Sequence, residues 1–329
     1  MKFPLTQQMA QLATILVLLS LAAAVRGQDQ PDGRIAPLAS NAPFTVAVNM
    51  TTIETAPIFV ASAAGGGGIK IIEGGVRHVA GGGAHAGTNA ETQMLLVRAS
   101  NPDVRMLLTV AEGLYRIIAR KSAGINTLAD LRGKRIVTPR NTSAHFHLVK
   151  MLRTVGLTEA DVTLVETGRT EMAAAIVRRE ADAISMWEPE AQNALEALGT
   201  DATVIQNNSV YRELFSLYTT AQVLSDPRRR RELVEFVRSV IVASDSVRDR
   251  PHNVIPLVAK MIKQTENTVS RSWRFHRFPA TLPRDMLDVL TEEETWIAAS
   301  RRREPLSRDR LAALIDTSVL KEAQQLTGR

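Results

Sequence analysis

Polar side chains able to hold a small molecule cluster where predicted strands end and predicted helices begin. Thr142 and Ser143 open one helix, and Thr88 and Asn89 are predicted to open another. A helix N-terminus presents N–H groups and a partial positive charge, so these positions suit an anionic group. Each hydroxyl equally suits a capping role alone. The candidate binding residues are Thr51, Thr52, Glu54, Thr88, Asn89, Thr142, Ser143, His145, Trp187 and Glu188.

Three of these candidates have roles that the sequence leaves open. Trp187 either closes over an apolar part of a ligand or packs in the core. Glu188 either binds an ammonium group or stabilises the start of the next helix by its charge. His145 is placed to donate to an anion. His147 lies two positions further along the same helix and points to another face, so the two histidines are not expected to share a metal.

Several kinds of chemistry are excluded by composition or by spacing. The chain has no cysteine, which removes disulfides, thiolate metal sites and cysteine nucleophiles together. No Ser-His-Asp order, paired carboxylates or metal-ligand constellation stands out. The glycine-rich stretches 65–68 and 74–87 lack the residues of a phosphate-binding loop, so tight turns and a flexible lobe edge are expected there. We predict no enzymatic activity and no cofactor.

The order of the predicted elements indicates an α/β fold. Thr88 and Glu91 have the spacing of a capping box with Thr88 as the N-cap. We expect largely parallel sheets flanked by helices, and a helical C-terminal part that begins near Asp226. The predicted strands are Phe44–Val48, Ile69–Glu73, Val104–Val110, Tyr115–Ala119, Lys134–Thr138, Val162–Glu166, Ala183–Trp187, Val204–Ile205 and Leu214–Ala221.

The N-terminal segment predicts export. An apolar run from Leu12 to Val25 is shorter than the roughly 20 residues that span a bilayer, so residues 1–27 are predicted to be a signal peptide of a periplasmic protein. Cleavage is expected after Gly27 or, second, after Ala24, and an uncleaved membrane anchor is the alternative. Residues 28–43 are predicted to be a flexible leader. Removal of Lys2 and Arg26 lowers the formal charge from +6 to +4.

The remaining basic surplus is rich in arginine, with runs at 228–231 and 301–303. No basic motif interleaved with aromatic residues accompanies these runs, so they are expected to be solvated helix faces and no nucleic-acid partner is predicted.

The segment Ile125–Pro189 resembles the nitrate/sulfonate/taurine class of ABC-transporter substrate-binding proteins. Three linked features carry the resemblance: the strand entry LADLRGKRI, the helix start TSAHF with GLTEADV after it, and a helix returning to DAISMWEP. Upstream, GTNAETQMLLVRASNPDVRMLLTV resembles the first-lobe helix and strand of the same class. The resemblance runs from about Phe44 to Asp226.

The resemblance implies a two-lobed clamp, periplasmic binding protein type II, with a hinge of two strands at Tyr115–Ala119 and Ser216–Ala221. Lobe 1 is then 44–118 and 222–329 with the C-terminal helices, and lobe 2 is 119–221 including the return hinge strand.

The resemblance also implies a function. The ligand would be a small anionic or zwitterionic solute, the partners an ABC permease and ATPase, and the protein a monomer. Presentation of the ligand to a sensor remains an alternative. A cleft enzyme of the same fold is another, although the sulfinate desulfinases and thiamine-pyrimidine synthases depend on a cysteine that is missing here.

Overall fold

The computed structural model describes residues 35–65, 68–168 and 171–328. The predicted signal peptide and residues 28–34 lie outside the described residues. Eleven strands within those ranges form two sheets. They are β1 Phe44–Val48, β2 Ile69–Glu73, β3 Ala86–Asn89, β4 Val104–Gly113, β5 Arg116–Arg120, β6 Arg135–Val137, β7 Thr163–Val165, β8 Ala183–Met186, β9 Ala202–Ile205, β10 Glu213–Thr220 and β11 His276–Arg277.

The first sheet has the strand order β11-β4-β10-β3-β1-β2 and the second has the order β7-β6-β8-β5-β9. Both sheets are mixed rather than largely parallel. Strand β1 is parallel to β2 and β3, and β6 is parallel to β7 and β8. The chain enters the second sheet at β5 and returns to the first sheet at β10. Each of these two strands runs antiparallel to the strands with which it pairs.

The two crossings between the sheets define the lobes. The chain leaves the first sheet after β4, enters the second at β5, and returns from β9 to β10. The predicted hinge strands both exist, but each belongs wholly to one sheet. The predicted end of lobe 2 at Ala221 therefore includes a strand of the first sheet, since β10 pairs with β3 and β4.

Helices cover the sheets, and the C-terminal part is mostly helical as expected. Proline fits the first helical turn because its missing N–H has no partner there anyway, and Pro227 occupies this place after Asp226, which accepts bonds from the N–H groups of Arg228 and Arg229. The helices are α1 Ala56–Ala64, α2 Val76–Ala80, α3 Glu91–Arg98, α4 Ser143–Arg153, α5 Met172–Val177, α6 Glu190–Leu198, α7 Ala221–Ser225, α8 Pro227–Asp249, α9 Pro251–Ile262, α10 Glu266–Trp273, α11 Met286–Ser300, α12 Arg308–Ala312 and α13 Ser318–Leu326.

The second glycine-rich stretch contains two elements that the sequence reading missed. Helix α2 and the first half of strand β3 lie within residues 74–87, where tight turns and a flexible lobe edge were expected. A methyl group at Gly87 would lie 2.7 Å from the carbonyl oxygen of Ala47 and 2.8 Å from a methyl of Val79. Glycine is therefore required for the close approach of α2 and β1 to β3.

Two further expectations are wrong in this region. Thr88 lies in β3 and does not cap a helix; Ala90 occupies the N-cap position of α3. Residues 35–43 do not form a flexible leader. The Arg229 guanidinium donates to the carbonyl oxygens of Ser40 and Ala42, and the Leu38 N–H donates to the Gly82 carbonyl, so this segment is fixed to the first lobe.

One apolar cluster runs through both lobes. It includes Met106 of β4, Ile118 of β5, Phe146 of α4 and Trp296 of α11, all of them buried. In the ranges that the structure describes, no helix combines the length and the hydrophobicity that crossing a bilayer requires.

Candidate functional site

A cavity of about 190 Å³ lies where strands of both sheets end and α3 and α4 begin. Ligands of α/β proteins bind at this kind of edge, where loops and helix N-termini converge. We call this cavity the cleft. Its walls come from both lobes. The lining residues are Asn49, Thr52, Glu54, Asn89, Ala90, Gln93, Thr142, Ser143, Trp187, Glu213 and Phe215.

A larger depression of about 540 Å³ lies elsewhere, at the outer edge of the first lobe beside His85 and Arg229. None of the candidate residues lines it. It also lies away from the junction of the two sheets, so the smaller cleft is the better candidate site.

The structure brings six of the ten candidate residues into the cleft. Their ligand contact remains a prediction. Thr51, Thr88, His145 and Glu188 do not line it. The six residues in the cleft wall are Thr52, Glu54, Asn89, Thr142, Ser143 and Trp187.

The start of α4 supplies two hydroxyl groups to the cleft wall. Of the residues predicted to open this helix, Thr142 is the N-cap: its Oγ1 accepts a bond from the His145 N–H and donates to the Pro139 carbonyl at 2.7 Å. The Ser143 hydroxyl donates to Glu213 Oε1 at 3.1 Å and lies 2.9 Å from the Tyr115 hydroxyl. Capping therefore occupies Thr142, whereas Ser143 belongs to a buried polar network around Glu213.

Two buried carboxyl groups, Glu54 and Glu213, also line the cleft and form its acidic wall. Burial raises the pKa of Glu213 well above its ordinary value, the charge of Glu54 adds to the rise, and hydrogen bonds from Tyr115 and Ser143 oppose it. His276 Nε2 lies 3.4 Å from Glu54 Oε1. Burial opposes the charged form of His276, but the charge and hydrogen bond of Glu54 together with the charge of Glu188 outweigh burial, and the pKa of His276 is raised. The imidazole of His276 therefore lies next to Glu54 in this acidic wall.

Several residues that line the cleft have a buried polar atom without a hydrogen-bond partner in the described part of the chain. Among the residues described, neither the Thr52 hydroxyl nor the Trp187 indole N–H has a hydrogen-bond partner, and the same is true of Oε2 in both Glu54 and Glu213. Buried polar groups are nearly always paired, so unpaired ones in a cavity wall call for an explanation. The Asn89 side chain differs, because its Oδ1 accepts from the Val76 N–H at 2.8 Å.

Thr51 and Thr88 are held outside the cleft. The Thr51 hydroxyl donates to Asn49 Oδ1 at 2.7 Å, which makes it part of the turn after β1. Thr88 is completely buried within β3, opposite Leu217 of β10. A position in the sheet interior explains why Thr88 does not reach the cavity.

His145 and His147 point to different surroundings, as their spacing predicts. The His145 ring packs on Trp296, and its Nε2 lies 2.7 Å from Glu159 Oε1. The His147 ring lies against Tyr115 and its Nδ1 is 2.9 Å from the Ser185 hydroxyl; burial lowers the pKa of His147 to about 3. His145 therefore joins α4 to α11 and does not line the cleft.

Glu188 is fully engaged in a structural ion pair. Its Oε1 accepts from the Arg116 guanidinium at 2.5 and 2.8 Å, and its Oε2 accepts from the Gln192 N–H and the Ser272 hydroxyl. Burial raises the pKa of Glu188 and the charge of Arg116 opposes that rise. With both oxygens paired and the side chain buried, Glu188 joins β5, α6 and α10.

Five lining residues were missed by the sequence analysis: Asn49, Ala90, Gln93, Glu213 and Phe215. Asn49, at the end of β1, could have been found by the rule that located Thr51 and Thr52. Gln93 lies in the first turn of α3 and donates to the Asn141 carbonyl at 2.9 Å, which links the two lobes. Glu213 and Phe215 lie within a strand, where the sequence carries no signal of ligand contact.

Comparisons with known proteins show the same fold. The alkanesulfonate-binding protein SsuA from Xanthomonas axonopodis pv. citri, bound to MOPS, is 17% identical with a TM-score of 0.66, and the match covers 85% of this chain and 100% of that one. A desulfurization enzyme, DSZB, is 17% identical with a TM-score of 0.61 over 86% of this chain and 99% of its own. The two-lobed clamp is therefore confirmed, in a fold that a binding protein and an enzyme share.

One curated relative also matches in sequence. An aliphatic sulfonates-binding protein of Escherichia coli (strain K12) is 24% identical over 167 residues, which are 50% of this chain and 51% of the relative. The chain thus matches about half the length of that relative. The resemblance drawn from Ile125–Pro189 is confirmed. Residues 70–252, more than half of the chain, match the family described as NMT1/THI5 like, and the chain belongs to this family.

Proposed function

We propose that the chain is a periplasmic solute-binding protein that captures a small anionic or zwitterionic organic solute between its lobes and delivers it to an ABC importer. The observation that carries the proposal is the cleft itself. Residues from both sheets line one cavity of about 190 Å³, so movement of one lobe relative to the other would open or close it around a solute.

The chemistry of the cleft supports a polar solute. The N-termini of α3 and α4 direct N–H groups and partial positive charge towards the cavity edge, which favours an anionic group. Trp187 and Phe215 offer aromatic surface to an apolar portion. The relatives named above include two proteins described as binding sulfonates, which supports an organic acid as the solute.

Export and transport are part of the same proposal. The predicted signal peptide at 1–27 supports a periplasmic location. The absence of cysteine from the whole sequence supports binding without the cysteine chemistry of enzymes that share the fold. Closure around the solute would create the surface that the permease and ATPase complex recognises.

Blocking the cavity tests the site. Ala90 lines the cleft, so Ala90→Leu would fill part of it and should weaken binding of any solute found in a thermal-shift screen by tenfold or more. A bound solute stabilises the folded protein by about 2.7 kcal/mol at a concentration 100 times its Kd. Ala64→Leu, at the exposed end of α1, is the matched control and should leave the affinity unchanged. Equal affinity in both variants would contradict the proposed site.

Small-angle scattering tests the clamp. The radius of gyration should fall when a solute identified by the screen is added at saturation, because closure brings the lobes together. An unchanged radius would count against a mechanism based on lobe movement.

A further inference from the structure

The two carboxyl groups in the cleft wall have a property that the proposed function does not yet explain. Glu54 and Glu213 are only 1% and 4% exposed. Within the described ranges, Oε2 of each has no hydrogen-bond partner, although both residues line the cavity. Leaving a buried carboxylate oxygen unpaired is costly, and a ligand that donates hydrogen bonds would remove this cost.

The two carboxyl groups lie close together, next to Gly113. A methyl group at Gly113 would lie 3.0 Å from Glu213 Oε2 and 3.4 Å from Glu54 Oε1. Their mutual repulsion is consistent with the raised pKa of Glu213, to which burial contributes most. A single cationic group placed between them would interact favourably with both.

The cleft wall supplies no cation of its own. Of the described residues that line the cavity, none is lysine, arginine or histidine. His276 lies behind Glu54, on the Oε1 side, and leaves Oε2 unpaired. His276 compensates Glu54 from behind, and burial holds the proton on Glu213, so a cationic group of the ligand would bind by displacing that proton and pairing with the carboxylate that remains.

Independent polar atoms indicate what else the ligand carries. Thr52, only 3% exposed, and Trp187 line the same cavity, and the hydroxyl of the one and the indole N–H of the other lack partners in the described part of the chain. The indole nitrogen is a donor only, so it requires an acceptor. A ligand with a cationic end and an acceptor end would use both sets of atoms.

We propose that the ligand carries a protonated amine, that Glu213 and Glu54 together bind this group, and that they select small zwitterions over organic anions of the same size. This inference rests on the proposed function of the cleft and identifies the residues that determine its specificity. The cavity of about 190 Å³ is below the usual range for drug-sized ligands, which suits a small amino acid or aminosulfonate.

Pairs of probes that differ only in the amine test the inference. Calorimetry compares 3-aminopropanoate with propanoate, 2-aminoethanesulfonate with ethanesulfonate, and 4-aminobutanoate with butanoate. In at least one pair the aminated member should bind at least tenfold more tightly. If unaminated anions bind as tightly as their aminated partners, the inference fails and the proposed function stands. If no probe binds, neither the inference nor the proposed solute class survives.

Variants of the acidic wall test the roles of the two residues. Glu213→Gln keeps the shape of the side chain. It should reduce the ratio of the affinities for the aminated and unaminated members of a pair at least tenfold. Glu54→Gln should act in the same direction and provides the test if the first variant is poorly folded. Glu235→Gln, an exposed position on α8, is the matched control and should retain the preference. A preference unchanged in both cleft variants would overturn the assignment.

Discussion

Glu188 and Glu213 are both buried near the junction of the lobes, yet their surroundings differ. Glu188 receives two bonds from Arg116 and one each from Gln192 and Ser272. Glu213 lines the cleft; its Oε1 receives a bond from Ser143, while its buried Oε2 has no partner among the described residues. Complete pairing marks Glu188 as a part of the scaffold. Incomplete pairing beside a cavity marks Glu213 as a group available to a ligand.

The largest expected effect comes from removing the partner of Glu188. Arg116→Met leaves a buried carboxylate without its cation, which should lower the free energy of unfolding by about 3–5 kcal/mol, measured by urea denaturation. The double variant Arg116→Met with Glu188→Gln should recover part of this loss, because the uncompensated charge is gone. A loss below about 1 kcal/mol in the single variant would show that the ion pair is not structural.

The pH dependence of stability should distinguish Glu213. Native Glu213 holds its proton above the ordinary value of 4.5, at which the unfolded chain releases it, so the native state binds more protons in this window. Stability should therefore fall as the pH rises from 4.5 to the raised pKa, at a slope of up to about 1.4 kcal/mol per pH unit for one group. Glu213→Gln should remove this contribution.

Urea denaturation between pH 5 and pH 8 measures the difference. Burial also raises the pKa of Glu91, Glu188 and Glu293 and lowers that of His147, so the difference between the two profiles, and not the slope of either one, reports on Glu213. Parallel profiles for the wild type and Glu213→Gln would contradict the idea that Glu213 is held in its neutral form.

A smaller effect is expected from the hydroxyl that supports Glu213. Ser143→Ala removes the donor to Glu213 Oε1 and should lower the free energy of unfolding by about 1 kcal/mol. It should also raise the pKa of Glu213 further, since the Ser143 bond favours the charged form. Ser239→Ala, whose hydroxyl forms an exposed bond on α8, is the control. Equal losses of unfolding free energy in the two variants would show that the Ser143 bond to Glu213 stabilises the fold no more than an exposed hydroxyl bond does.

The smallest effect is expected for a pair exposed to solvent. Lys150 on α4 and Glu292 on α11 form an ion pair of 2.7 Å, with 21% and 46% of their side chains exposed. Lys150→Met should lower the unfolding free energy by only a few tenths of a kcal/mol, and less at high salt, because water screens the charges. A loss comparable to that of Arg116→Met would show that pairing, and not burial, sets the cost.

The sequence predicted the elements better than it predicted the contacts. Strands β1 and β2 and the Thr142 cap could be found because their signals are local: alternating β-rich residues and a hydroxyl before a helix. Helix α2 and β3 could not, because the glycines that surround them are needed for close packing against Ala47 and Val79, partners that the local sequence does not reveal.

The candidate site was predicted only in part, because the sequence reveals local positions but not distant partners. Polar residues at strand ends led to Thr52 and Ser143, which line the cleft. Glu188 was chosen because it precedes Pro189 at a helix start, but its distant partner Arg116 occupies it. Glu213 was missed because its role depends on the absence of a partner for one oxygen, a property of three-dimensional packing alone.

The position of β10 constrains how the chain acquires its structure. The chain returns to the first sheet at this strand, yet the strand lies in the middle of that sheet, between β4 and β3. A nascent chain ending before Glu213 would leave β3 and β4 with unpaired edges, which are prone to pairing with other chains. The first lobe therefore completes its sheet only after the second lobe has been synthesised, and a chaperone that delays folding would protect those edges meanwhile.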